Sequence, residues 1–283
     1  MSKTSERLLT FFIGIPVIVS CAAFSFWNHC LLHIAILITT TLVSIELHSL
    51  LSKSMATQPV VLTVILSDLI PLITGLQVIF NLQYELILLA VILILFIVFT
   101  VEIWGYDRNT KTFEKSDERI ASSLLIIIYS GLFMSFISRM TAFSEASAII
   151  SLFLLLIFGC DSCAWFFGMT MGKNNRGVIL ASPNKSVMGF IGGFVGPVIS
   201  ILVAFFCFPV LKEYPLWKIA VLSVSTSLTA IIGDLVESVI KRCVKTKDSG
   251  NLIPGRGGLL DSADSIIFSA PVYYLLVKLL FGM

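Results

Sequence analysis

The chain has 283 residues, 57% of them hydrophobic and only 13% charged, with a formal net charge of +2 and a mean hydropathy of +0.99. Soluble globular domains carry roughly a quarter charged residues, so an ordinary soluble enzyme, a disordered chain and a nucleic-acid binder are all excluded. The six cysteines lie scattered in apolar stretches and read as small hydrophobes, the Cys-x-x-Cys of Cys160 and Cys163 being a coincidence on a membrane helix without a thioredoxin-like context.

About 20 apolar residues cross about 30 Å of hydrocarbon as a helix. Nine stretches of that kind follow one another, at 9–28, 31–51, 58–80, 84–104, 120–138, 146–171, 187–211, 217–240 and 263–282. The fold class is therefore all-α, a polytopic integral membrane protein of about nine transmembrane helices, with Pro71 a candidate kink point in the third. Lys3 and Arg7 before an apolar run ending in Ser20-Cys21 imitate a lipoprotein cleavage box. A second apolar stretch follows almost at once, so the first segment reads as an uncleaved span. With the N-terminus inside, the cytoplasmic segments hold all of the 19 basic residues except Arg139, Lys212, Lys218 and Lys278. Positive charge is retained on the cytoplasmic side, so the N-terminus is expected inside and the C-terminus outside.

Residues 1–150 form a run of N-terminal transmembrane helices with few polar groups. Glu46, Asp68 and Glu102 lie in or near spans, and His29, Cys30 and His33 gather at the outer face, where they read as interfacial residues rather than a metal site. Residues 151–283 differ in kind, because ionisable residues enter the spans, and such residues are costly there unless they serve function. Asp161 shares a helix face with Ala164, Trp165 and Gly168, a face another helix can approach closely. Gly192 and Gly196 make a similar small-residue face on the seventh span. Asp234, Glu237, Ser238 and Lys241 share one face of the eighth, and Asp261 and Asp264 open the ninth. Taken alone, the last pair reads as a helix cap. With the expected topology, however, Asp161, Asp234, Asp261 and Asp264 all fall toward the cytoplasmic side, ringed by Lys185, Lys241, Arg242, Lys245, Lys247 and Arg256. Carboxylates enclosed by cations describe a site for magnesium and phosphates.

The run from Ser238 to Asp264, SVIKRCVKTKDSGNLIPGRGGLLDSAD, closely resembles the C-terminal signature of the phosphatidate cytidylyltransferases, the CDP-diacylglycerol synthases. Ser238, Lys241, Arg242, Lys247, Asp248, Gly250, Pro254, Gly257, Gly258, Asp261 and Asp264 match it in spacing. Gly233-Asp234-Leu235, Asp161-Ser162 with Ala164-Trp165, and Ser182-Pro183 with Lys185-Ser186 are similar to further family motifs. The sequence departs from the pattern at Arg256, Ser262 and Met188, where the family has His, Arg and commonly Glu.

The resemblance implies a nucleotidyltransferase that joins CTP and phosphatidic acid into CDP-diacylglycerol and pyrophosphate, for phospholipid biosynthesis. It implies Asp234, Asp261, Asp264 and Lys241 as catalytic residues. Lys185, Ser238, Arg242, Lys247, Arg256, Gly257 and Gly258 would bind substrate. Magnesium would sit on Asp234, Asp261 and Asp264, with Asp161 holding a second cation or orienting Lys185. The enzyme is expected in the bacterial inner membrane with its site on the cytoplasmic side, as a homodimer, with membrane lipid rather than nucleic acid as its partner. Two alternatives are a CTP-dependent polyprenol or phytol kinase and a secondary transporter. The full Lys-Asp to Asp-x-x-Asp element argues against the first, and polar content confined to one half argues against the second.

Overall fold

The structure is a computed structural model that describes residues 16, 18–83, 85–104, 113–253 and 257–283. Among the described residues eight helices are long and apolar enough to cross a membrane: α1 (Phe26–Leu51), α2 (Val60–Phe80), α3 (Glu85–Trp104), α4 (Ser116–Met140), α5 (Ala146–Thr170), α6 (Val187–Cys207), α7 (Leu216–Cys243) and α8 (Leu260–Phe281). They coincide with the second to ninth expected stretches. Residues 9–15 and 17 of the first stretch lie outside the described residues, while residues 18–23 of it are helical and its last three residues already belong to α1. The chain is an all-α polytopic membrane protein.

Leu, Ile, Val and Phe dominate every span, and the outer surface keeps them exposed. Phe96, Phe206 and Leu279 are 64%, 87% and 79% exposed, as hydrocarbon-facing side chains would be. Pro71 leaves α2 continuous from Val60 to Phe80. Irregularities fall instead in the first turn of α1, where Trp27, Asn28 and His29 have left-handed φ, and in α4, where Ile127–Leu132 widens into a π-helical turn. That turn brings Gly131 against the Ser67 backbone, where a Cβ would stand 2.5 Å from the carbonyl oxygen. It also sets Ser130 Oγ 2.7 Å from Ser44 Oγ.

The most extensive pairings are α5 with α6 and α7 with α8. Glycine makes the first possible. A Cβ at Gly196 would lie 2.0 Å from the Gly159 carbonyl oxygen, and one at Gly192 2.6 Å from that of Cys163. Ala164 and Gly168 face α6 as their spacing predicts, whereas Trp165 points outward. The main core is continuous across α1, α4, α5, α7 and α8, and buried Tyr273 donates its hydroxyl to the Ile149 carbonyl at 2.8 Å.

Polar contacts sort the helix ends into two sets. At one end Glu118 accepts the Ala56 amide, Gln58 and Arg119 both donate to Glu102, Arg242 donates to the Ala181 carbonyl, and Glu46 meets Ser249. At the other, Asn28 donates to Val78, His33 meets Thr141, and Lys218 donates to Leu280. Lys53, Lys115, Arg119, Lys173, Arg176, Lys185, Lys241, Arg242, Lys245 and Lys247 all belong to the first end. Arg139, Lys212, Lys218 and Lys278 belong to the second. The charge asymmetry read from the sequence is thus an asymmetry between the two ends of one bundle.

Candidate active site

The site lies at the basic end, where α7 runs past the start of α8. The two helices touch at Gly233, where a Cβ would stand 2.6 Å from Phe268 Cβ and 3.1 Å from the Asp264 carbonyl. Only a residue without a side chain allows that approach, and it brings Asp264 beside the α7 face that bears Asp234 and Glu237. Ligand oxygens of Asp234, Glu237 and Asp264 lie within 4.8 Å of one another. They form the one group of three metal-capable side chains found among the described residues. Glu237 and Asp264 are buried and Asp234 is half-buried.

Two lysines offset this concentration of negative charge. Lys185 pairs with Asp234, and Lys241 pairs with Glu237 one turn back on its own helix. Lys185 is placed by a tight segment before α6. Ser186 accepts the Gly189 amide as helix cap, Arg176 bridges to Ser186, and Gly172 packs so closely that a Cβ would meet Ser186 Oγ at 2.3 Å.

Lys241 also binds Asp261, Nζ to Oδ1 at 2.6 Å. The other oxygen of Asp261 accepts the Ser249 amide at 2.8 Å and the Gly258 amide at 2.7 Å, and lies 2.9 Å from Ser249 Oγ. Asp261 therefore ties the signature loop to the start of α8, and its oxygens are not among those that converge with Asp234 and Asp264. In place of Asp261 the geometry brings in Glu237. Its spacing of three from Asp234 put it on the right face, but nothing local singled it out as a ligand. Gly257 has φ +106°, and a Cβ there would meet Asp261 Oδ2 at 2.5 Å, so this motif glycine serves the loop turn.

The remaining expected site residues fall as follows. Asp161, on α5, is exposed and within electrostatic range of Asp264. Ser238 is buried on α7, Arg242 binds the Ala181 and Thr246 carbonyls, and Lys247 is exposed on the loop. Arg256 and Pro254 lie outside the described residues. His29 and His33 join no metal-capable group of three among the described residues. Sequence reasoning passed over Tyr129. Its hydroxyl is buried on the π-helical turn without a hydrogen-bond partner among the described residues, within electrostatic range of Asp264, Glu237 and Asp234. Such turns often mark functional positions.

Three carboxylates, two of them buried, form an all-oxygen donor set of the kind hard divalent cations take. Lysines beside them leave cationic groups at the rim that suit phosphate.

Comparison with known proteins supplies the remaining finding. A family model described as the cytidylyltransferase family matches residues 5–280. The phosphatidate cytidylyltransferase of Bacillus subtilis (strain 168) is 36% identical over 200 residues, which is 70% of this chain and 69% of that protein. The protein of the same name from Thermotoga maritima is 37% identical over 173 residues, 58% of this chain and 61% of that protein. The one from Synechocystis is 39% identical over 134 residues, 44% of this chain and 43% of that protein.

Proposed function

The chain belongs to the cytidylyltransferase family, and from that premise we propose that it transfers the cytidylyl group of CTP to phosphatidic acid, releasing pyrophosphate. It is an enzyme, a nucleotidyltransferase that works within a membrane. The observation that carries the reading is the convergence of Asp234, Glu237 and Asp264 beside Lys185 and Lys241 at the basic end of the bundle.

In the reaction, a phosphate oxygen of the lipid attacks the α-phosphorus of CTP. A new P–O bond forms as the bond to the β-phosphate oxygen breaks, and the electron pair leaves on pyrophosphate. The nucleophile is already an anion at neutral pH, so no strong base is required. What opposes the step is repulsion between two polyanions. Asp234, Glu237 and Asp264 would hold magnesium, which when bound neutralises charge on the triphosphate. Lys185 stands on Asp234, near enough to the trio to bind a phosphate oxygen. Lys241 pairs with the buried Glu237 and holds it in place, and Asp261 fixes Lys241 from the other side. Arg242 and Lys247 extend the cationic rim, and Arg256 would add to it from the same loop.

This end would face the cytoplasm, where CTP is dissolved and the phosphate of phosphatidic acid lies at the leaflet surface. The bacterial relatives suit an inner-membrane location, and membrane lipid is the environment of the site. Oligomeric state, a homodimer by family resemblance, is part of the same proposal. The test is incubation of purified protein with CTP, magnesium and phosphatidic acid, with mass spectrometry of the lipids. CDP-diacylglycerol with stoichiometric pyrophosphate is expected. A lipid monophosphate formed from a lipid alcohol would indicate a kinase instead, and no turnover of CTP with any lipid would refute the proposal.

A further inference from the structure

Glu46 belongs to the half of the chain that carries no signature residue, yet its carboxylate grips the signature loop. Oε1 accepts the Leu259 amide at 2.9 Å, and Oε2 accepts the Leu260 amide at 2.8 Å and lies 2.9 Å from Ser249 Oγ. Those amides stand at the N-terminus of α8, where the first N–H groups have no partner inside the helix. A carboxylate there also complements the helix dipole. It comes from α1, more than 200 residues away in sequence.

The loop is shaped around this group. A Cβ at Gly258 would stand 2.3 Å from Glu46 Oε2 and 2.0 Å from Ser249 Oγ, and one at Gly250 would stand 2.9 Å from Oε1. Both signature glycines therefore leave room for a side chain that lies outside the signature. Ser249 Oγ is 2.9 Å from Asp261 Oδ2 as well, so its single proton lies between two carboxylates. From Asp261 the contacts continue to Lys241 and on to Glu237, a member of the carboxylate trio.

We propose that Glu46 is a positioning residue for the reaction: from α1 it clamps the signature loop and the first turn of α8, so that Asp261 holds Lys241 and Asp264 faces Asp234 and Glu237. It acts through those residues and touches no substrate. The proposal rests on the reaction assigned above, but the clamp has a readout of its own.

In Glu46→Gln the side chain keeps its length while one acceptor oxygen becomes a donor, which then opposes the backbone N–H of Leu259 or of Leu260, whichever way the amide is turned. Turnover of CTP with phosphatidic acid should fall about tenfold or more in kcat, the cost of losing a charge-assisted bond. KM for CTP should stay within about threefold, because no substrate contact is removed. Hydrogen–deuterium exchange should quicken in peptides covering 249–262 and remain as in wild type over the other helices. Glu46→Asp, too short to reach both amides, should fall between the two, and Glu85→Gln, exposed at the far end of α3, should match wild type throughout.

A Glu46→Gln enzyme with kcat within about twofold of wild type, or one slowed without any change of exchange in 249–262, would overturn the proposal. If Glu46→Gln does not yield folded protein, Ser249→Ala decides. It removes the hydroxyl that bridges Glu46 and Asp261 but leaves the backbone amide bonds to both carboxylates, so it should lower kcat at unchanged KM, and full activity would overturn the grip of Glu46 on the loop. A wild-type protein that turns over no CTP would refute the assigned reaction. The exchange data then judge the clamp alone, and absence of a local rise in Glu46→Gln would end it.

Discussion

Replacing Lys241 by Met tests the electrostatic logic of the site, because Met keeps the length and apolar stem of the side chain and removes only its charge. The Lys241 side chain is 13% exposed, between Glu237 at 1% and Asp261 at 6%. Asp261 would keep its donors from Ser249 and Gly258, whereas Glu237 would lose its ion-pair partner in a buried position. Removing one member of a buried pair costs about 3–5 kcal/mol, since the other is left uncompensated. At about 2–4 °C per kcal/mol for a chain of this size, the midpoint of thermal unfolding should drop by about 6–20 °C. The double variant Lys241→Met/Glu237→Gln removes the stranded charge and should recover at least about half of that loss, because replacing both partners is close to neutral. Thermal unfolding of wild type, both single variants and the double variant in detergent with EDTA measures this. If Glu237→Gln adds its own loss to that of Lys241→Met, the two residues are not coupled and the reasoning fails.

The carboxylates should separate by their magnesium dependence. Asp264→Asn should raise the magnesium concentration needed for half-maximal pyrophosphate release by about tenfold or more, as expected for a lost ligand. Asp261→Asn should lower turnover without moving that concentration, and a clear shift would return Asp261 to the metal site. At Gly196, alanine would bring a Cβ to 2.0 Å from the Gly159 carbonyl, so Gly196→Ala should cost about 1–3 kcal/mol by overpacking. Thermal unfolding checks it, with Gly177→Ala, which meets no atom within 4 Å but has φ +84°, expected to cost less. Topology is tested with Thr4→Cys and Gly282→Cys in a background lacking the six native cysteines. Labelling of the two by an impermeant reagent should occur from opposite faces of the membrane, and labelling from the same face would contradict an odd number of spans.

The spans, the charge difference between the two ends and the family membership were legible in the sequence because each rests on local information. Hydropathy over about 20 residues decides what enters a bilayer, the positive charges lie in the loops themselves, and the signature from Ser238 to Asp264 is one continuous run. The close approach of α5 and α6 was legible for the same reason, since Gly192 and Gly196 repeat at helical spacing. The π-helical turn in α4 was not, because no residue type dictates where a helix widens.

Which carboxylates meet was decided by tertiary structure. Asp261 and Asp264 are three residues apart and of the same residue type, yet Asp264 joins Asp234 and Glu237 while Asp261 is drawn to Lys241, Ser249 and Gly258. That division follows from how α8 crosses α7 at Gly233 and from how the loop before it closes, and neither is encoded in the spacing of the acids. Glu46 shows the limit most clearly. In the sequence it is one acidic residue in an apolar helix, and only packing α1 against the start of α8 gives its carboxylate the two unpaired amides that it satisfies.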